Sequence, residues 1–383
     1  GARLQSEFGH LATVARLGGD EFCIIYPGVW DENQVEAIAE QLCNLLCQRY
    51  VLEKSEFALG ASVGYAIFPY HATSDMELLA YADTAMFHAK EKQLGYASYR
   101  REMTERLVEY RTVQDKLSRA LELDEFFLVY QPQVDLNNGH VIGVEALLRW
   151  RHNAEIIPPV RFIHLLEKNR EIIPVSRWII REACRQLAAW ILEGYDIEVS
   201  VNISAVQFAD PDFYESVAEP ISEFGIDPSK IDLEITEGLL IDDVKSVASK
   251  LNQIKQLGVS ISIDDFGTGY SSLAYLRQFP IDRLKIDRTF IKDIPHADDG
   301  VIASSIIVLA KSLDLKVIAE GVETQEHVQF LKKHDCDQFQ GYLLSQPVPP
   351  SEVVSFFPVR TNLGAAYTTP LSLPMQSAFN PSV

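Results

Sequence analysis

The chain is short of positive charge. Its 383 residues hold 34 lysines and arginines against 54 aspartates and glutamates, a formal net charge of −20. No basic stripe offsets that balance, so duplex nucleic acid is excluded as a ligand, because phosphate contacts are made by Lys and Arg. An anionic substrate would need metal ions to bridge it. Long apolar runs are also lacking: no uncharged stretch approaches the roughly 18 residues of a membrane span, and 47% hydrophobic with 23% charged residues is the composition of globular protein. Cysteines are few. Cys23, Cys43, Cys47, Cys184 and Cys336 include no C-x-x-C pair, so neither a zinc site nor a disulfide framework is suggested. Cys43 and Cys47 read as apolar positions one turn apart on a helix. No signal peptide opens the chain, and the expected location is a reducing cytoplasm, with any membrane anchor upstream of Gly1.

What is present divides into two parts, as the length allows about two domains. Residues 1–100 read as a partial α/β domain, with strand-like runs at 22–26 and 57–68 and helical stretches at 34–50 and 75–92. Residue 1 already falls inside a helical pattern, which reads as a truncation. Residues 101–124 are highly charged, with Leu107, Val108, Val113, Leu117 and Leu121 spaced as one helical face, predicting a connecting helix. From about 125 to 358, eight strand-like runs alternate with helical ones: 126–134, 141–150, 198–204, 231–236, 260–266, 283–287, 316–322 and 338–344. That alternation predicts a parallel α/β fold, and its length suits a (β/α)8 barrel of TIM type. Residues 359–383, rich in Pro, Ser, Thr and Ala without periodicity, predict a disordered tail.

Glu145, Asn202, Glu234, Asp264, Asp265, Lys285, Asp287, Glu320 and Gln340 lie in or at the ends of those strands, the face where barrel enzymes carry their chemistry. Any one acid there reads more readily as a helix cap or a surface residue. Together, several carboxylates and an amide would repel unless cations neutralised them, and oxygen donors suit Mg²⁺ or Mn²⁺ rather than zinc. Asp264 beside Asp265 can serve two ions, the arrangement used for in-line displacement at a phosphodiester. Lys285 would orient or deprotonate the attacking water, the second only if burial and neighbours lower its pKa, or else simply pair with an aspartate. Arg149 has the fork for a phosphate or for a helix end. "DDFGTGYSSL" (264–273) is a glycine-bearing loop beside the acids, either a mobile element over them or plain punctuation, and Glu237 stands where it could accept hydrogen bonds from that loop.

The blocks "EALLRW" (145–150), "VNIS" (201–204), "LEITE" (233–237), "DDFGTGYSSL" (264–273), "LKID" (284–287), "AEGVET" (319–324) and "QGY" (340–342), in this order, resemble an EAL domain over about 115–358. That family linearises cyclic di-GMP to pGpG. The resemblance implies metal ligands at Glu145, Asn202, Glu234 and Asp264, with Asp264, Asp265 and Glu320 around a second Mg²⁺ or Mn²⁺ and its water. It further implies Lys285 at the nucleophilic water, Glu237 anchoring the loop from Asp264, and Arg149 on a phosphate. Gln131, Glu323 and Gln340 would contact the dinucleotide or its surroundings. Homodimerisation through this domain is also implied. No metal position is replaced, which favours an enzyme over a catalytically inactive cyclic di-GMP receptor signalling to a partner.

The opening "ARLGGDEF" (15–22), with "ASVGYAIFP" (61–69) and "LLAYADTAMFHAK" (78–90), resembles the GGDEF family, which condenses two GTP into cyclic di-GMP. That family's first-strand aspartate and phosphate loop would lie upstream of Gly1, leaving Asp20 and Glu21 as half a metal site. Its R-x-x-D inhibition motif would fall on Gly9 and Ala12 and is absent, and "KQLGYASYR" lacks the usual G-R-N. This part is therefore expected to be structural or regulatory, while in a longer product a complete GGDEF domain would either be active or bind GTP and regulate its neighbour.

Overall fold

The computed structural model describes residues 1–28, 31–52, 55–240, 243–268, 276–294 and 300–358. The expected tail and residues 269–275 of the loop after Asp264 lie outside the described residues. Two compact units divide the chain, Gly1–Asp115 and Lys116–Val383.

In the first unit the opening stretch forms an antiparallel hairpin of β1 (Thr13–Gly18) and β2 (Glu21–Ile25), with Gly18 opposite Glu21. Gly19, at its tip, takes φ +52°, which costs glycine no Cβ clash. Helices Glu32–Cys47 and Asp75–Glu91 begin at Asp31 and Ser74, whose side chains accept from the backbone N–H of Asn33 and Glu77. Leu4, Phe8 and Leu42 centre a small core against which Val14, Ile24 and Ile38 pack. The run at 57–68 is not one strand. Gly60 interrupts it, so that β3 (Tyr50–Leu52) pairs with β4 (Ser55–Phe57) while β5 (Val63–Tyr65) lies parallel to β6 (Tyr96–Ser98). The expected helix over 101–124 runs only from Arg101 to Leu117; tighter turns follow and end at Asp124, φ +54°.

The second unit is a closed barrel with a ninth, accessory strand. Its elements are β7 (Phe126–Asp135), β8 (Val141–His152), β9 (Glu155–Ile157), β10 (Glu198–Ile203), β11 (Ile231–Thr236), β12 (Ser260–Phe266), β13 (Arg283–Ile286), β14 (Lys316–Ala319) and β15 (Gln338–Gln340). From β8 through β10 to β15 every neighbouring pair is parallel, while β9 only folds back on β8. The fully parallel expectation fails at β7. It runs antiparallel to both β8 and β15 and closes the barrel between them. Residues 136–140 are too few for the dozen-residue crossover that a parallel pair needs. They form a hairpin instead, in which Asp135 Oδ1 accepts from the N–H groups of Asn137 and Asn138 and Gly139 takes φ +73°.

Strand alternation sends apolar side chains outward toward the helices and polar ones into the lumen. Val199, Val201, Leu233, Ile235, Ile261, Ile263, Leu284 and Ile286 are buried on the outer face. On Ile172–Leu192, the longest helix, Val175, Ile179, Ala183, Leu187 and Trp190 make the matching buried stripe. Inside, Asp232 accepts from Ser262 Oγ at 2.6 Å and Ser200 Oγ at 3.2 Å, and Arg283 reaches it at 3.5 Å while pairing with Glu198. Asp232 is fully buried, and burial lifts its pKa despite Arg283. Arg283→Met is expected to cost about 3–5 kcal/mol, because it strands a buried carboxylate; urea unfolding measures it, and a loss under 1 kcal/mol would contradict the pairing.

Candidate active site

One layer above Arg283, two residues further along each strand, the lumen becomes a carboxylate cluster around one lysine. Lys285, on β13, is completely buried. Its Nζ lies 2.6 Å from Glu234 Oε2 on β11, 2.7 Å from Glu320 Oε1 just beyond β14, 3.1 Å from Asp264 Oδ1 on β12 and 3.7 Å from Glu145 Oε2 on β8. Burial alone would pull the ammonium down, but Asp264, Glu145, Glu234 and Glu320 outweigh it and hold its pKa well above the ordinary value. The acids respond in kind. Burial, then Glu145, raises Glu234 well above the usual carboxylate range; burial raises Glu320; and burial, then Asp264, raises Asp265.

The geometry sets four carboxylates against one ammonium. Glu234 Oε1 is buried without a hydrogen-bond partner, and oxygens of Asp264, Asp265 and Glu320 all lie within 4.8 Å of one another. Asn202 Nδ2 donates to Glu145 Oε1 at 2.6 Å, leaving its amide oxygen as the atom it can offer a cation. An all-oxygen donor set that is short of positive charge fits a hard divalent ion.

Around the cluster, the remaining expected residues separate by what they touch. Gln340 Nε2 donates to Glu145 Oε2 at 2.5 Å and to Gln131 Oε1 at 2.9 Å, and Gln131 Nε2 donates to the Ser345 carbonyl at 3.1 Å. Both amides thus hold protein groups rather than project into open space. Glu237, buried in the turn after β11, accepts from the Gly267 N–H at 2.8 Å, so it grips the described part of the loop that begins at Asp264. Asp265, the residue between, sits at φ +53°, a backbone state that costs a non-glycine residue energy and recurs at functional sites. Arg149 lies on the same face of β8 as Glu145, half-buried, with Nη1 donating to the Leu148 carbonyl at 2.8 Å. Glu323 is exposed, and its backbone N–H donates to His327 Nδ1.

Sequence reasoning passed over the layer beneath. Gln133, Ser200, Asp232, Ser262 and Arg283 each stand two residues from a site residue on the same strand, a period-two polar pattern that was there to be read.

Residues 114–347 match the EAL domain family, and residues 1–95 match the diguanylate cyclase GGDEF domain family. The chain belongs to the EAL family. It is of the tandem kind, with the EAL barrel following a GGDEF segment. Among its relatives, the bifunctional diguanylate cyclase/cyclic di-GMP phosphodiesterase MucR of Pseudomonas aeruginosa is 40% identical over 347 residues, 90% of this chain and 50% of MucR. The cyclic di-GMP phosphodiesterase PdeR of Escherichia coli is 36% identical over 343 residues, 89% of this chain and 52% of PdeR. The chain therefore spans about half the length of these curated relatives. A solved structure described as the PaMucR phosphodiesterase in complex with c-di-GMP aligns with a TM-score of 0.61 at 43% identity, over 63% of this chain and 99% of that one. No described helix of the EAL chain is long and apolar enough to cross a membrane.

Proposed function

We propose that the EAL barrel hydrolyses cyclic di-GMP to linear 5′-pGpG, using two Mg²⁺ or Mn²⁺ ions. The observation that carries this reading is the convergence of Glu145, Glu234, Asp264 and Glu320 on one buried lysine, with Asn202 and Asp265 at its edge. Glu145, Asn202, Glu234 and Asp264 would hold one ion, and Asp264, Asp265 and Glu320 the other. When bound, the ions supply charge for a phosphoryl oxygen and lower the pKa of an attacking water. Lys285 orients that water; the carboxylates around it hold its pKa above the ordinary value, the opposite of the lowering that a base would need. Attack in line places the water oxygen on phosphorus, breaks one 3′ P–O bond and leaves the proton on the departing 3′ oxygen. Arg149 presents its guanidinium to a phosphate, and Glu323 stands exposed as a ligand contact. Gln131 and Gln340 act through Glu145, and Glu237 anchors the Asp264 loop through Gly267.

The GGDEF segment is structural or regulatory in this reading. The protein would work in the cytoplasm as a homodimer through the barrel. Val301, Ile302 and Val308, more than half exposed on helix Val301–Ser312, supply apolar surface for that contact.

The test is product analysis of the purified chain with cyclic di-GMP and Mg²⁺, Mn²⁺ or chelator. Metal-dependent pGpG is expected; tight binding without product would make the barrel a receptor instead. A second expectation follows from the raised carboxyl pKa values. The metal-free cluster retains protons near neutrality, and a cation must displace them. Mn²⁺ affinity should therefore strengthen as pH rises from 6 to 8, with proton release seen as a buffer-dependent calorimetric heat; a flat profile would contradict it.

A further inference from the structure

We propose that Gln133 is a positioning residue that fixes the amide orientation of Gln340 and, through it, the carboxylate of Glu145. The inference rests on the reading of Glu145 as a metal ligand and concerns a residue outside the expected site.

Gln133, on β7, is 2% exposed. Its Nε2 donates to Gln340 Oε1 at 3.1 Å and toward Ser200 Oγ at 3.4 Å. Ser200 Oγ in turn donates to Asp232 Oδ2 at 3.2 Å, while Gln340 Nε2 donates to Glu145 Oε2 at 2.5 Å and Gln131 Oε1 at 2.9 Å. A single line of hydrogen bonds thus joins two carboxylates, Asp232 below and Glu145 above.

Each end of the line is a carboxylate oxygen that accepts, from Ser200 Oγ below and from Gln340 Nε2 above, so both ends dictate its polarity. Asp232 takes the Ser200 proton, which leaves Ser200 only a lone pair for its neighbour. Glu145 takes an N–H of Gln340, which turns the Gln340 oxygen downward. Gln133 stands between two acceptors and must present its NH₂ to both. Were its amide reversed, two oxygens would face each other in a buried layer, and Gln340 would be free to turn its own oxygen toward Glu145. Ser262 Oγ, at 2.6 Å, and Arg283 also face Asp232 Oδ2 as donors, which fixes that oxygen as the acceptor at the reference end.

Such outer partners of a metal ligand commonly carry about 10–100-fold in metal affinity or activity. Two variants separate this role from others. Gln133→Met keeps size and neutrality but removes the donor. It is expected to weaken Mn²⁺ binding about 10-fold by calorimetry and to lower kcat for cyclic di-GMP hydrolysis by a similar factor, with KM changing less than threefold. Gln133→Glu puts an acceptor where a donor is required. An added negative charge would by itself tighten cation binding, whereas the polarity argument expects Mn²⁺ to bind more weakly than to wild type. Tighter binding by Gln133→Glu, or unchanged Mn²⁺ affinity and kcat in Gln133→Met, would overturn the proposal. Wild-type protein run alongside distinguishes the two levels: if it binds no Mn²⁺ and releases no pGpG, the phosphodiesterase reading fails and takes this inference with it.

Discussion

Lys285→Ala is expected to lower kcat for cyclic di-GMP by about three orders of magnitude or more and to destabilise the metal-free protein by about 3–5 kcal/mol. The two losses have different origins. Turnover falls because no other described side chain brings a positive charge within hydrogen-bond distance of Glu234, Asp264 and Glu320 together, so the proposed attacking water would lose its donor. Stability falls because the ammonium is the counter-charge for four carboxylates, one of them, Glu234, completely buried. Removing one partner of a buried ionic group leaves the others uncompensated. Urea unfolding in chelator and again with Mn²⁺ resolves the pair of effects, since cations at the cluster should restore stability without restoring turnover. A variant that is as stable as wild type in chelator, or that releases pGpG normally, would contradict the assignment.

Glu234→Gln should move stability and activity in opposite directions. Its carboxyl has one oxygen on Lys285 at 2.6 Å and the other buried with no hydrogen-bond partner. Burial and Glu145 already push it toward the protonated form. A neutral amide of the same shape removes that repulsion, while Lys285 keeps Glu145, Asp264 and Glu320. The metal-free variant is therefore expected to unfold at a higher urea concentration, by roughly 1–2 kcal/mol, as groups held under strain for function often do when neutralised. Its kcat should fall about 10²–10⁴-fold, and the Mn²⁺-induced rise in Tm should shrink or vanish, because a central ligand has lost its charge. Unaltered Mn²⁺ stabilisation would remove Glu234 from the ligand set.

The sequence carried the strands because each pairs an apolar run with a polar residue near its end, as in "IDLEIT" and "SISIDDF". It did not carry their direction. Alternation is the same for a parallel and an antiparallel strand, so it groups β7 with its neighbours, although the short "DLNNGH" connection allows only a hairpin. The connecting helix ends before its apolar spacing does for a similar reason: Leu121 keeps the helical spacing, but periodicity does not register that Asp124 turns to positive φ. Among the site residues, the carboxylates and Lys285 were legible as a group through their recurrence at strand ends. Gln340 is legible as a member of that group and Gln131 only through the family resemblance, and the partner of neither amide can be read from the sequence. Nothing in one dimension distinguishes an amide that waits for a ligand from one that holds Glu145.

The antiparallel seam between β7 and β15 also bears on how the molecule comes to exist. Gln340 and Glu145 are 195 residues apart, and Gln340 and Gln133 are 207 apart. Contacts of such long range form slowly, because the chain must lose the entropy of closing the intervening loop before they reward it. On a ribosome, Glu145, Glu234, Asp264 and Lys285 all emerge before the strand that completes the ring. Until β15 is made, β7 and β14 are left as open sheet edges, the kind exposed to strand pairing with other chains. Closure of the sheet and completion of the carboxylate layer then depend on the same three-residue strand.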